Sequence, residues 1–509
     1  MSQTYPDPFR RFLITVPSMF ASTMVAIDMT IANVALPHMQ ASIGASPEQI
    51  IWVLTSYLIA GAIATPLSGW MAGRFGRKKV MVFSVAGFTL ASALCGAAND
   101  LETLVFARAL QGACGAALVP LSQAILLDIN PPENYAKAMA IFSLGSMAGP
   151  IIGPTLGGWL TDAFSWRWVF FINIPIGIIS FVGMLAFLYE SRHEKTSRFD
   201  MFGFLTISAA LASFQLMIDR GEHLDWFDST EIWVYAVIIG VALYLAIVHM
   251  FTARDTFIKP ELFRNRNFAI GSVIGVLLGI AVFATVPMIV IMTQTLLGYT
   301  AFHTGMIGMP RAIGTVVAML LVTQLVERFD TRIILGCGLA ISAFSMLMYS
   351  RMDLYVDERA LLVTGFVQGV GGGLIFVPLS VLVFSTLPQS LRNEGAAMNA
   401  LMRNIGNATG ISFLQRELIH LTADSRAHLV DGVRPDSPVM QYARPDFDFG
   451  SAEALAGINQ EIVRQANMVG NIEMYWLVFL ISLLMLPLLL FMRNTRRQAS
   501  DHQTLPVME

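Results

Sequence analysis

At 509 residues, with 55% hydrophobic and 13% charged side chains, a formal net charge of −3 and a mean hydropathy of +0.62, the chain has too few charges to cover a water-exposed surface. That excludes a soluble multidomain protein of this length, and the lack of a basic arm or Lys/Arg-rich face argues against nucleic acid as a partner. Cys95, Cys114 and Cys337 sit inside apolar runs with neither disulfide nor metal-ligand spacing, and read as packing residues.

A bilayer core needs about 20 mostly apolar residues per helix, and on that measure the sequence predicts about 14 spans. They fall near 12–36, 50–72, 79–98, 102–126, 137–160, 168–189, 201–219, 232–252, 268–296, 304–326, 332–350, 360–386, 394–415 and 474–492. Arg10 and Arg11 precede the first apolar run, which lacks a convincing cleavage site and reads as an uncleaved span. Short loops on one side hold Arg10, Arg11, Arg74, Arg77, Lys78, Lys79, Arg192, Lys195, Arg198, Arg254, Lys259, Arg264, Arg266, Arg328, Arg332, Arg493, Arg496 and Arg497. Short loops rich in Lys and Arg stay inside, so this side is expected to be cytoplasmic, with both termini on it.

The first span carries Asp28, in Ile27–Pro37, at bilayer depth. A charge there costs at least about 2.5–3.5 kcal/mol on insertion scales, so a tolerated acid usually faces the bundle interior and has a task. The fourth span runs the opposite way and carries Arg108, in Arg108–Gly115; residue counting puts it at the depth of Asp28. Water-free surroundings favour a neutral acid and a nearby guanidinium favours its carboxylate, a balance suited to loading and releasing a proton. A structural ion pair between helices is the plainer reading of the same residues.

The loop after the second span reads Gly73-Arg74-Phe75-Gly76-Arg77-Lys78, and a later one reads Glu327-Arg328-Phe329-Asp330-Thr331-Arg332. Both place Arg-Phe and a following basic residue between apolar helices, as a duplicated bundle would. The fifth span contains Gly145, Gly149, Pro150, Gly153, Pro154, Gly157 and Gly158. Small residues every four positions let helix backbones approach closely, and the prolines kink the helix, so a tight bent helix at a domain interface is expected.

In the second half Arg311 and Arg403 fall within spans, without an acid at similar depth in that half. They could bind an anionic group of a substrate, bridge carbonyls or, more readily for Arg311, snorkel to headgroups. Asn33, Trp52, Tyr57, Gln111, Gln294, Gln368, Asn399 and Arg403 are candidates to line a cavity, and 29 methionines suit a surface that re-packs around varied ligands. Residues 416–473 are polar, with a helical stretch near 452–468, and predict a small ordered outer cap. No phosphate-binding Gly-x-x-x-x-Gly-Lys sequence, nucleophile–base pair or metal cluster is seen, so neither an enzyme nor an ATP-driven pump is expected.

Taken together these motifs resemble the major facilitator superfamily, in its EmrB/QacA-type branch of fourteen-helix drug:proton antiporters, and most closely its EmrB-like members. The resemblance rests on the Asp28 segment, Arg108–Gly115, Gly149-Pro150 with Gly157-Gly158, Trp166–Gly177, and Asp219–Gly221 with Leu224–Phe227. It implies an all-α integral membrane protein with the major facilitator fold. Residues 1–200 would form one six-helix bundle, 201–252 an inserted transmembrane pair, 253–495 a second six-helix bundle including the periplasmic loop 416–473, and 496–509 a cytoplasmic tail.

It also implies a proton-coupled multidrug exporter of the bacterial inner membrane that works by alternating access. No cofactor beyond the proton gradient is implied; the partners would be membrane lipid, drug-like substrates, a periplasmic adaptor and an outer-membrane channel. Asp28 and Arg108 would couple protons, while Arg74, Gly76 and Arg77 match the family's gating loop. Gly73 stands where that loop usually carries an acid. A dedicated exporter of a siderophore, fatty acid or antibiotic would share these features, and a non-transporting receptor or scaffold is a third reading.

Overall fold

A computed structural model describes residues 5–50, 52–190, 199–221, 224–253, 256–388, 391–443 and 447–493; these form helices joined by short connections, with no strand among the described residues. Arg192, Lys195, Arg198, Arg254, Arg496 and Arg497 lie outside them. The first six long helices are α1 (Pro8–Ile43), α2 (Trp52–Phe75), α3 (Arg77–Ala97), α4 (Leu101–Ile129), α5 (Tyr135–Ala163) and α6 (Trp168–Phe187). Next come α7 (Met201–Gly221) and α8 (Thr230–Thr252). The last six are α9 (Arg266–Leu296), α10 (Ala301–Arg328), α11 (Thr331–Tyr349), α12 (Glu358–Ser385), α13 (Arg392–Asp431) and α14 (Ala452–Leu484).

Twelve of these, among the described residues, are long and apolar enough to cross a membrane. Helices α5 and α13 are long enough too, at 29 and 40 residues, and pack along the others. Arg392, Glu394 and Arg403 interrupt the apolar surface of α13. With both included, the expected fourteen spans are accounted for.

The helices begin where the sequence supplies caps. Asp100, Asn265, Thr300, Asp330, Asp357 and Ser451 each accept a hydrogen bond from a first-turn N–H at the head of α4, α9, α10, α11, α12 and α14. Gly76, at φ +93°, turns the chain sharply from α2 into α3, a backbone conformation that a side chain would strain.

Helices α1–α6 pack on one another and so do α9–α14; across the seam α5 meets α10, and α2 meets α13. Helix α7 lies against both α2 and α13, whereas α8 packs on α7 and turns Trp233, Val237, Val241 and Tyr244 outward. With an even number of spans, α1 begins and α14 ends at one end of the bundle, the near end.

The internal echo in sequence is a repeat in space. A Cβ on Gly112 of α4 would strike the backbone of Tyr57 on α2, and one on Gly369 of α12 would strike the backbone of Arg311 on α10. Likewise Gly149 of α5 meets Ala26 of α1, and Gly406 of α13 meets Val276 of α9.

At the far end the structure differs from the loop expected at 416–473. Helix α13 continues unbroken to Asp431, and the stretch from Ala452 is the start of α14. At 40 residues α13 is about 60 Å long, twice the thickness of a bilayer core. The projecting turns stay helical because the two helices pack as a hairpin: Gly470 lies against Thr422, and Arg426 donates to Asn459 at 3.2 Å. Between the two helices lies a short helix at Pro438–Ala443.

Candidate functional site: a sealed carboxylate in the first half

Helices α1 and α4 run in opposite directions, so Asp28, 20 residues into α1, and Arg108, near the far end of α4, reach one level. That level is roughly 30 Å from the near end at 1.5 Å per residue. There the two side chains meet. The Asp28 carboxylate accepts hydrogen bonds from Arg108 Nη1 at 2.6 Å, Gln111 Nε2 at 2.9 Å and Asn173 Nδ2 at 2.8 Å. Asp28 is 0% exposed and Arg108 1%.

The surrounding shell holds the arginine as tightly as the acid. Arg108 Nε donates to the Val53 carbonyl at 3.1 Å, Nη1 also reaches Gln111 Oε1 at 2.8 Å, and the guanidinium lies 4.2 Å from the centre of the Tyr57 ring. Asn173 is fixed in turn through Ser92, which donates to the Phe170 carbonyl. An ion pair removed from water this completely is tolerated only when further hydrogen bonds satisfy both partners, as these do. Asn173 Oδ1 is buried and has no hydrogen-bond partner among the described residues.

The glycine stripe of α5 clamps the helix that carries the acid. Gly145 lies against Met19 and Thr23, Gly149 against Ala26, Gly153 against Thr30, and Gly157 against Ile31. Thr23 and Thr30 hydroxyls donate to the carbonyls of Gly145 and Gly149, both at 3.0 Å. The stripe therefore packs within the first half, on either side of Asp28; Gly158 faces open space. Pro150 and Pro154 lie in the same helix.

At the near end a second charge cluster joins the halves. Arg77 pairs with Asp128 at the foot of α4, and Arg392, at the head of α13, pairs with the same carboxylate at 3.3 Å. Gln123 Nε2 reaches Ser380 Oγ of α12 at 3.4 Å, and Arg392 lies over the Tyr135 ring. The loop that carries Gly73 thus meets an acid of α4, Asp128, through Arg77. Arg74 is exposed.

The cavity candidates divide. Asn33, Trp52 and Gln294 are exposed toward the far end, while Tyr57, Gln111, Gln368 and Asn399 are buried in the packing of their own halves. Gln368 donates to Thr285 Oγ1 at 3.4 Å. Arg311 and Arg403 are half-buried, and among the described residues neither side chain has an ion pair or hydrogen bond. Sequence reasoning missed Asn173 and Asp128 as site residues. The signals were an amide at the head of an apolar helix and an acid at the foot of a span.

Comparison with known proteins agrees with this architecture. A sequence profile described as Major Facilitator Superfamily matches residues 18–411. The multidrug export protein EmrB of Escherichia coli K12 is 31% identical over 492 residues, covering 94% of each chain. The fatty acid resistance protein FarB of Neisseria gonorrhoeae is 31% identical over 490 residues, covering 93% of this chain and 94% of its own. Among solved structures, the human organic anion transporter MFSD10 superposes with a TM-score of 0.59 at 12% identity, covering 94% of this chain and 100% of that one, which shows a shared fold. The chain belongs to the major facilitator superfamily.

Proposed function

We propose that this protein is a proton-coupled exporter of small hydrophobic or amphipathic drug-like compounds, working by alternating access in the bacterial inner membrane with the near end and both termini cytoplasmic. The observation that carries the reading is the sealed Asp28 carboxylate, held by Arg108, Gln111 and Asn173. Protonating the acid cancels its charge and frees Arg108, while the new O–H needs an acceptor. Asn173 Oδ1, buried and unpartnered, is the atom that can receive it once the amide turns. One proton thereby rearranges a network spanning α1, α4 and α6. The α5 stripe on either side of Asp28 passes that movement to the seam with α10.

In this reading 1–200 and 253–495 rock against each other about the cavity, 201–252 closes one side of the seam, and the Asp128–Arg392 pair holds the cytoplasmic end shut. The energy comes from the proton gradient, without a cofactor. The likeness to EmrB supports drug-like cargo, and by analogy a periplasmic adaptor and outer-membrane channel would complete the pump. The likeness to FarB supports a second reading, a dedicated exporter of one fatty-acid-like compound; efflux across a panel of chemically diverse dyes separates the two.

The test is transport by purified protein in proteoliposomes under an imposed pH difference, with dye and proton fluxes recorded together. The wild type is expected to move dye against protons, and Asp28→Asn to bind dye but lose gradient-driven transport. Equal pumping by Asp28→Asn, or undiminished wild-type pumping without a gradient, would overturn the proposal.

A further inference from the structure

The spatial repeat assigns each first-half site residue a counterpart. In the register set by the two basic loops and by the paired glycine contacts, Arg311 stands where the first half has Tyr57, and Tyr349 stands where it has Cys95. Gly365 takes the place of Arg108, Gln368 that of Gln111, and the buried Leu278 that of Asp28. The second half therefore keeps a positive charge in the equivalent space, moved from α12 to α10, but has lost the acid that would neutralise it.

Arg311 lies ten residues below the head of α10, about 15 Å into the span and beneath the headgroup layer. Both the Arg311 side chain and the Tyr349 hydroxyl flank Gly365: Arg311 Cβ and Tyr349 Oη are each 3.8 Å from where a Cβ on that glycine would sit. The glycine leaves a notch bordered by the stem of Arg311, the Tyr349 hydroxyl and, also at 3.8 Å, the Ile307 carbonyl. Arg311 keeps part of its surface open, and its side chain has no hydrogen bond or ion pair among the described residues. An uncompensated guanidinium at this depth is costly unless an anion or water meets it, and its planar fork is shaped to take a carboxylate by two parallel hydrogen bonds.

We propose that Arg311 and Tyr349, on either side of the Gly365 notch, form an anion subsite that receives the carboxylate of an amphiphilic cargo. The subsite rests on the exporter reading above and adds to it a substrate class, amphiphiles with one negative headgroup. One half then handles the proton and the other the charge of the cargo.

The test uses the full chain in detergent, with dodecanoate and dodecylamine as probes of equal length and opposite charge. Equilibrium binding is measured for wild type, Arg311→Gln, Arg311→Lys, Tyr349→Phe and Asp28→Asn. Loss of the bidentate contact is expected to weaken dodecanoate about tenfold in Arg311→Gln, leaving dodecylamine unchanged, with partial recovery in Arg311→Lys. Tyr349→Phe is expected to weaken dodecanoate about threefold, and carries the test if Arg311→Gln does not fold. Asp28→Asn should keep dodecanoate binding, so failure of proton coupling and failure of the subsite give different patterns. Equal losses for both probes, or no loss of dodecanoate in a folded Arg311→Gln or Tyr349→Phe protein, would overturn the subsite.

Discussion

The two halves of this molecule share a backbone plan and divide the charged chemistry. In the first, an acid, an arginine and two amides close on one another without access to water. In the second, the matching positions hold Leu278, Gly365 and Gln368, and Arg311 brings a charge beside them from α10. Both halves use glycine to bring the same helix pairs together, Gly112 with Gly369 and Gly149 with Gly406. Duplication thus preserved the packing that positions a site while leaving its polar residues free to diverge.

The largest effect should come from splitting the first-half pair. Arg108→Ala leaves the Asp28 carboxylate buried without its counter-charge, a change that costs about 3–5 kcal/mol for a buried pair. Changing Asp28 and Arg108 together to apolar residues of similar volume should recover much of that, since neither charge is then stranded. In the second half Arg311→Met should cost far less, because no acid depends on it. Thermal unfolding in detergent measures all three. If Arg311→Met destabilised as much as Arg108→Ala, the contrast between a closed pair and an uncommitted charge would be lost.

A smaller effect separates the two basic loops. In the first, Arg77 shares Asp128 with Arg392 of the other half. In the second, Arg332 pairs with Asp330 of its own loop at 2.8 Å and donates to the Met492 carbonyl at 3.1 Å. Charged hydrogen bonds of this kind contribute about 1.5–3 kcal/mol. Asp128→Asn should therefore favour an open near end, seen as roughly tenfold faster maleimide labelling of a Ser380→Cys reporter, and Asp330→Asn should leave the rate unchanged. Equal rates in the two variants would show that the Asp128 cluster does not hold the halves together.

What could be read in advance follows how local each signal was. Opposed helix directions and residue counts were enough to put Asp28 and Arg108 at one depth, and the four-residue spacing of Gly145, Gly149, Gly153 and Gly157 was enough to predict a close helix contact. The partner of that contact was not legible. The helix expected at a domain interface does meet α10 across the seam, but its glycine face lies on α1, because spacing describes one helix face and says nothing of what covers it. Asn173 and Asp128 were missed for a related reason: each gains its role from side chains 145 and 264 positions away in the chain. The helical stretch near 452–468 was legible, but the run of α13 past residue 415 was not, because apolar character fades there although packing between α13 and α14 keeps the backbone helical without a bilayer.

The smallest effect tests where the halves agree. Each begins its fourth span with an aspartate cap, Asp100 for α4 and Asp357 for α12. Asp100 accepts from both the Thr103 N–H at 2.8 Å and the Thr103 hydroxyl at 2.9 Å, whereas Asp357 accepts from the Arg359 N–H at 3.4 Å. The Thr103 N–H, and after it the hydroxyl, hold the exposed Asp100 carboxyl below the usual carboxylate range. A carboxyl with a depressed folded-state pKa contributes its stability above the ordinary carboxylate pKa and loses it as the pH falls through the depressed value. Asp100→Ala should accordingly lower Tm slightly at neutral pH and converge with wild type in strong acid, while Asp357→Ala should lower it less, its single bond being the longer. Were Asp357→Ala the more damaging, the cap on α12 would be carrying a load that its geometry does not explain, and the two fourth spans would be equivalent in sequence only.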